Sequence, residues 1–225
     1  MKLNQPLVLL SAICAAVLIA APSFAATCNG KTANITGTGG ADTLAGGGGA
    51  DVIAGLGGND VIYGNGGNDD VCGDSGNDRV YGSENDDYVN GGTGDDDVHG
   101  NPGNDDLRGE SGRDTFWAAA GNDVLRGGSH DDTMYGHGGN DTMYGDGEND
   151  LVRGMDGADW IYGGDGVDDL RGENGNDRLF GQNGTDVLDG GAGTDILDGG
   201  AGFDICVNGE TLISCNDGPP FPPFF

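Results

Sequence analysis

An all-β parallel solenoid is the fold class this chain predicts, and three observations carry the prediction. A nine-residue period runs from Gly37 to Val207, nineteen units over 171 residues, without one insertion. The sixth residue of every unit is Asp, from Asp42 to Asp204. The eighth is apolar in every unit, from Leu44 through Ile53, Leu107, Phe116 and Met134 to Cys206. Self-similarity at a fixed period marks stacked supersecondary units, none of which can bury its apolar face alone.

The first units read GTGGADTLA, GGGGADVIA and GLGGNDVIY. Position one is Gly in eighteen units, with Ala118 the exception. Position four is Gly in sixteen, with Asn85, His130 and Glu148 the exceptions. Glycine reaches backbone angles closed to other residues, so these positions predict a sharp turn over the first six residues. Such a turn brings backbone carbonyls together, and the Asp adds a carboxylate. The last three residues predict a short strand whose eighth residue points inward and whose seventh and ninth point outward. Asn85 enters the left-handed region readily, whereas His130 and Glu148 do so at greater cost. The latter two belong to units 11 and 13.

The unit resembles the RTX (hemolysin-type) calcium-binding nonapeptide repeat, G-G-x-G-x-D-x-U-x with U a large apolar residue. The resemblance covers 171 residues. It implies a right-handed β-roll, or β-helix, in which two units make one turn and Ca2+ sits between the loops of units n and n+2. Its metal ligands here would be Asp42, Asp51, Asp60, Asp69, Asp78, Asp87, Asp96, Asp105, Asp114, Asp123, Asp132, Asp141, Asp150, Asp159, Asp168, Asp177, Asp186, Asp195 and Asp204. Ten odd and nine even units leave gaps for up to about 17 ions. Calcium takes six to eight oxygen ligands in tolerant geometry, which carboxylates and carbonyls supply. At roughly 4.8 Å per turn the rod would be about 45 Å long.

Composition agrees. The chain holds 49 Gly, 38 acidic residues against 9 Lys and Arg, and a net charge of −29. With only 35% apolar residues, it would read as disordered were it not for the unbroken phase. The charge excludes nucleic acid, since no basic patch meets phosphates. It equally excludes a polybasic contact with anionic lipid. Cations are the expected partners.

The N-terminus reads as a signal peptide over residues 1–25. Lys2 precedes the apolar run Leu7 to Ala21, too short to span a membrane comfortably, and Ser23-Phe24-Ala25 offers a cleavage site. Neither Cys14 nor Cys28 follows a lipidation box. The expectation is a secreted, extracellular bacterial protein with no membrane span after cleavage. Residues 26–36 keep the phase through Ile35 but lack the Asp, and read as an N-terminal cap. Residues 208–217 read as a C-terminal cap, and 218–225 as a flexible Pro/Phe tail. Cys28, Cys72, Cys206 and Cys215 remain after cleavage and allow three disulfide connectivities. Cys206–Cys215 closes a short loop where a solenoid frays, and Cys28–Cys72 follows by elimination. No Cys-x-x-Cys pair supports zinc.

The chain reads as non-catalytic. The RTX family often joins its repeats to a protease, lipase or pore-forming toxin. No His-Glu-x-x-His or Gly-x-Ser-x-Gly occurs here, and His99, His130 and His137 fall at three different repeat positions. Two functional readings fit. In one, calcium-driven folding is itself the function. In the other, the chain is a calcium-dependent polysaccharide- or surface-binding module. Position nine carries the second reading: odd units give Tyr63, Tyr81, His99, Trp117 and Tyr135, and even units give Arg108, Arg126, Tyr144, Tyr162 and Phe180. The same side chains could instead stack on one another and stiffen the rod.

Overall fold

The computed structural model describes residues 25–215. The expected signal segment up to residue 24, the last two residues of the expected C-terminal cap and the Pro/Phe tail lie outside them. Among the described residues none is helical, so no helix is long and apolar enough to cross a membrane. Strands from odd units form one parallel sheet and strands from even units another. Each residue pairs with the one eighteen positions on: Val98 with Phe116, Leu107 with Leu125. Two units therefore make one turn, and the chain is a parallel β-solenoid of about ten turns, the architecture of the RTX β-roll.

The position-eight side chains form the core. From Ile53 to Leu197 each is fully buried, and they pack as one continuous cluster. Alternation along the strand places them inward, as in the alternating half-buried and buried pattern of residues 97–101. The interior thus receives one sizeable apolar side chain per nine residues.

Strand length departs from expectation. Mid-rod strands hold six or seven residues, not three: Asp97–Pro102 and Thr115–Ala120 continue into the first three residues of the next unit. The sharp turn is confined to positions four to six. Near the ends the three-residue form survives, in Thr43–Ala45, Val52–Ala54 and Ile205–Val207.

A second ladder went unseen in the sequence. Position five is Asn or Asp in eleven units. Its side-chain oxygen accepts the backbone N–H of position five one turn later, as in Asn122 to Asn104 and Asn140 to Asn122, both 2.9 Å. The eleven-of-nineteen bias was the available signal.

Both ends are fastened. Thr27–Cys28 and Lys31–Thr32 form an antiparallel hairpin, tied by Cys28–Cys72 with a Cα separation of 5.7 Å. Asn29 donates to Asp70 Oδ1 at 2.7 Å and Lys31 pairs with Asp70 Oδ2, which explains why Asp70 is buried at an otherwise outward position. Cys206–Cys215 closes the other end, Cα to Cα 5.8 Å. Both pairings are the expected ones.

Candidate metal array

Each position-six Asp is placed by the turn before a strand, and from Asp60 onward each is almost wholly buried. One carboxylate oxygen is committed. The Asp42 N–H donates to Asp60 Oδ1 at 2.7 Å, Asp87 to Asp105 at 2.8 Å, and so on to Asp186 and Asp204 at 3.0 Å. These bonds carry each carboxylate along the rod axis as a ladder.

The second oxygen is free. In all seventeen units from Asp60 to Asp204, Oδ2 is buried and has no hydrogen-bond partner. A buried carboxylate oxygen without a partner is strongly unfavourable unless a cation completes it or the group takes up a proton. The backbone explains how it stays free. Position two lies in the left-handed region in every one of these seventeen units, and in twelve of them it is not glycine. Leu56 has φ 76°, Ala119 85° and Met155 78°. Such a conformation costs roughly 1–2 kcal/mol for an ordinary L-residue. It turns the position-two N–H away from its own Asp.

This corrects the sequence reading of glycine. Left-handed backbone was expected at positions one and four. Position four conforms in most units, and Asn85, His130 and Glu148 adopt φ of 80°, 88° and 72° in the places of glycine. Position one is not left-handed. Its glycine is needed for space: a Cβ at Gly64, Gly73 or Gly109 would overlap the Oδ2 of its own unit's Asp and crowd the position-one carbonyl one turn later. The void that glycine keeps open is bordered by a carboxylate of unit n and a carbonyl of unit n+2.

Burial dominates the acidity of these groups. It raises the carboxyls of Asp78, Asp114, Asp123 and Asp141 to about 6, and those of Asp87, Asp105 and Asp150 to about 7. Asp96 and Asp132 reach about 8, with the stacked Asp neighbours adding like-charge repulsion. Donated backbone N–H bonds oppose both effects. Among the described residues no three His, Cys, Asp or Glu side chains group around a metal position. The donor set is one carboxylate with backbone carbonyls, all hard oxygen, which suits calcium and not zinc.

The outward position-nine rings stack on one another. Tyr63 and Tyr81 lie 4.9 Å apart at 7°, Tyr81 and His99 4.5 Å at 18°, and Trp117 and Tyr135 4.5 Å at 16°. On the other sheet Arg126 caps Tyr144 at 4.5 Å, and Tyr144, Tyr162 and Phe180 follow at 4.9 Å spacings. The interior rings of each stack have both faces covered, leaving edges to solvent. That is the stiffening arrangement.

The model of the RTX calcium-binding nonapeptide repeat, four copies long, matches residues 36–71, 46–80, 72–107, 81–116, 108–143, 144–179 and 171–206. The matches together span three quarters of the chain, and the protein belongs to this family of calcium-binding repeat proteins. Comparison with curated proteins finds no match.

Proposed function

We propose that this chain is an exported, non-catalytic protein whose rod is built and held by calcium. The observation that carries the reading is the row of seventeen buried Asp Oδ2 atoms kept without partners by strained backbone. Each Asp from Asp42 to Asp204 serves as a ligand, and a Ca2+ lies between each Asp and the Asp eighteen residues on, up to about 17 ions. The ion supplies the positive charge that lets stacked carboxylates approach. One apolar side chain per nine residues, in a chain this rich in glycine, is too little burial to offset the entropy of ordering. Folding and metal binding are then one event. The N-terminal segment supports export through the cell envelope, with cleavage after Ala25 and the rod acting outside the cell, where calcium is plentiful and the two disulfides persist.

Equilibrium dialysis with elemental analysis of protein purified from culture medium tests this reading. It should show more than ten tightly held Ca2+ per chain on a polypeptide beginning at Ala26. A chain that starts at Met1, or holds one or two ions, would overturn it.

A further inference from the structure

The nonapeptide pattern stops at Val207, yet the solenoid makes one more rung. Thr211–Ile213 pairs in parallel with Ile196–Asp198, matching Ile196 to Thr211 and Leu197 to Leu212. The spacing there is fifteen, against eighteen everywhere else in the roll. Three residues, Asn208, Gly209 and Glu210, do the work of a six-residue loop.

The shortened loop brings Glu210 to the place of a position-six Asp. Its Oε2 accepts the Asp195 N–H at 2.5 Å, as Asp195 Oδ1 accepts that of Asp177 at 2.9 Å. The backbone bonds repeat as well. Thr211 N–H reaches the Asp195 carbonyl at 3.1 Å, as Ile196 reaches that of Asp177 at 2.9 Å, and Gly199 N–H reaches Ile213 at 3.0 Å, as Gly190 reaches Val207 at 3.1 Å. Glutamate is one methylene longer than aspartate, which suits a loop three residues shorter.

The void is present too. Asp195 is fully buried and its Oδ2 has no partner. The Asn208 carbonyl and Asp195 Oδ2 both lie under 3 Å from the point where Gly190 would carry a Cβ, the same pairing that borders the void at Gly172. Asn208 supplies the carbonyl from a left-handed backbone, φ 55°. Glu210 also raises the Asp195 carboxyl, behind the larger effect of burial.

We propose that Asp195, the Asn208 carbonyl and Glu210 form a further Ca2+ site that closes the array at its C-terminal end. It lies outside the Asp-to-Asp gaps, which finish with Asp186 and Asp204, and no nonapeptide motif would reveal it. It rests on the reading of the chain as a calcium array. Together with Cys206–Cys215 it locks the last rung, where a solenoid otherwise frays.

Native mass spectrometry of the disulfide-intact secreted chain, titrated with Ca2+, counts the ions directly. Hydrogen exchange at the Gly199 and Thr211 amides reads the cap. Glu210→Gln keeps an acceptor for the Asp195 N–H and removes the charge. It should lose one ion from the saturated count and raise exchange at those two amides about tenfold in calcium, with mid-rod amides unchanged. Glu210→Ala should lose the same ion with a larger rise. A saturated count equal to wild type in both variants overturns the proposal while leaving the array intact. A wild-type chain that takes up no Ca2+ overturns the array itself, so the two failures are distinguishable.

Discussion

Asp42 and Asp51 occupy the first two units; Asp60 opens the other seventeen. In the first two, Oδ2 accepts its own unit's position-two N–H, from Thr38 at 2.6 Å and Gly47 at 2.7 Å. Neither Thr38 nor Gly47 is left-handed, and their strands are three residues long. From Asp60 onward position two is left-handed and Oδ2 is unpartnered. The same nonapeptide therefore has two resolutions. One satisfies the carboxylate within the unit. The other strains the backbone and presents the oxygen to the gap between turns. Position in the stack decides between them. The Ala33 N–H, which would serve Asp51 Oδ1 one turn earlier, is spent on Ala26 in the hairpin, and Asn34 takes its place. In the first two units the carboxylate is met within its own unit and leans least on a cation, whereas in the rest its second oxygen is left for one.

The acidity of the two regions sharpens the contrast and gives the largest expected effect. Bonds from Gly47 and Asn34 hold the Asp51 carboxyl below its ordinary value, whereas burial lifts Asp96 and Asp132 to about 8. A carboxyl whose folded value is raised binds its proton more tightly folded than unfolded. In metal-free protein the mid-rod carboxyls therefore favour the fold below about pH 4, and that help is lost as pH rises through 6 to 8. In chelator, β-structure by circular dichroism should be greater at pH 5 than at pH 8. With calcium the sign reverses, because protons compete for the ligand, so the calcium midpoint should rise as pH falls. Equal chelator spectra at both pH values would break the contrast.

Substitution of single ligands comes next. Asp105→Ala removes a buried acceptor from Asp87 and a free Oδ2 together. Leaving a buried amide unsatisfied costs about 1–3 kcal/mol, so the calcium midpoint should rise on the order of tenfold. Asp42→Ala, by contrast, should shift it by less than about 0.5 kcal/mol. Tryptophan fluorescence during calcium titration compares them, and equal shifts would contradict the two-region account.

Space at position one is a smaller lever. Gly109→Ala should lower mid-rod calcium affinity, since its Cβ would overlap Asp114 Oδ2. Ala118 already carries a Cβ at position one, fully buried. Ala118→Gly should therefore raise the melting temperature in calcium by a few degrees, and calorimetry would show it. The ring ladder matters least for the ions themselves. Trp117→Ala removes stacking on His99 and Tyr135, each contact contributing about 0.5–1.5 kcal/mol. It should lower the melting temperature in calcium and leave the ion count unchanged.

Phase, the inward column and the Asp column were legible in the sequence, because each rests on a residue type that recurs without exception; the two-unit turn came from the resemblance to the RTX repeat. Asp105 and Leu107 needed only counting. What stayed hidden rests on positions where residue type is free. Position two is Gly, Asn or Asp in nine of these seventeen units, but Leu56, Met155, Glu173 and Gln182 blur that trace of its left-handed backbone. The glycine rule at position one was visible while its cause, room beside the carboxylate, required coordinates. Glu210 was hidden by a change of spacing, since a search in steps of nine cannot see a rung that arrives three residues early.

The central claim is that cations, not the apolar column, hold the rod. Far-ultraviolet circular dichroism of the disulfide-intact chain at pH 7.5, titrated with calcium from chelator, tests it most directly. The account predicts coil at the start, a steep cooperative conversion to β-structure, full reversal by added chelator, and little conversion by magnesium, whose smaller octahedral demand the carbonyl-lined gaps meet poorly. A spectrum already fully β in excess chelator would contradict it.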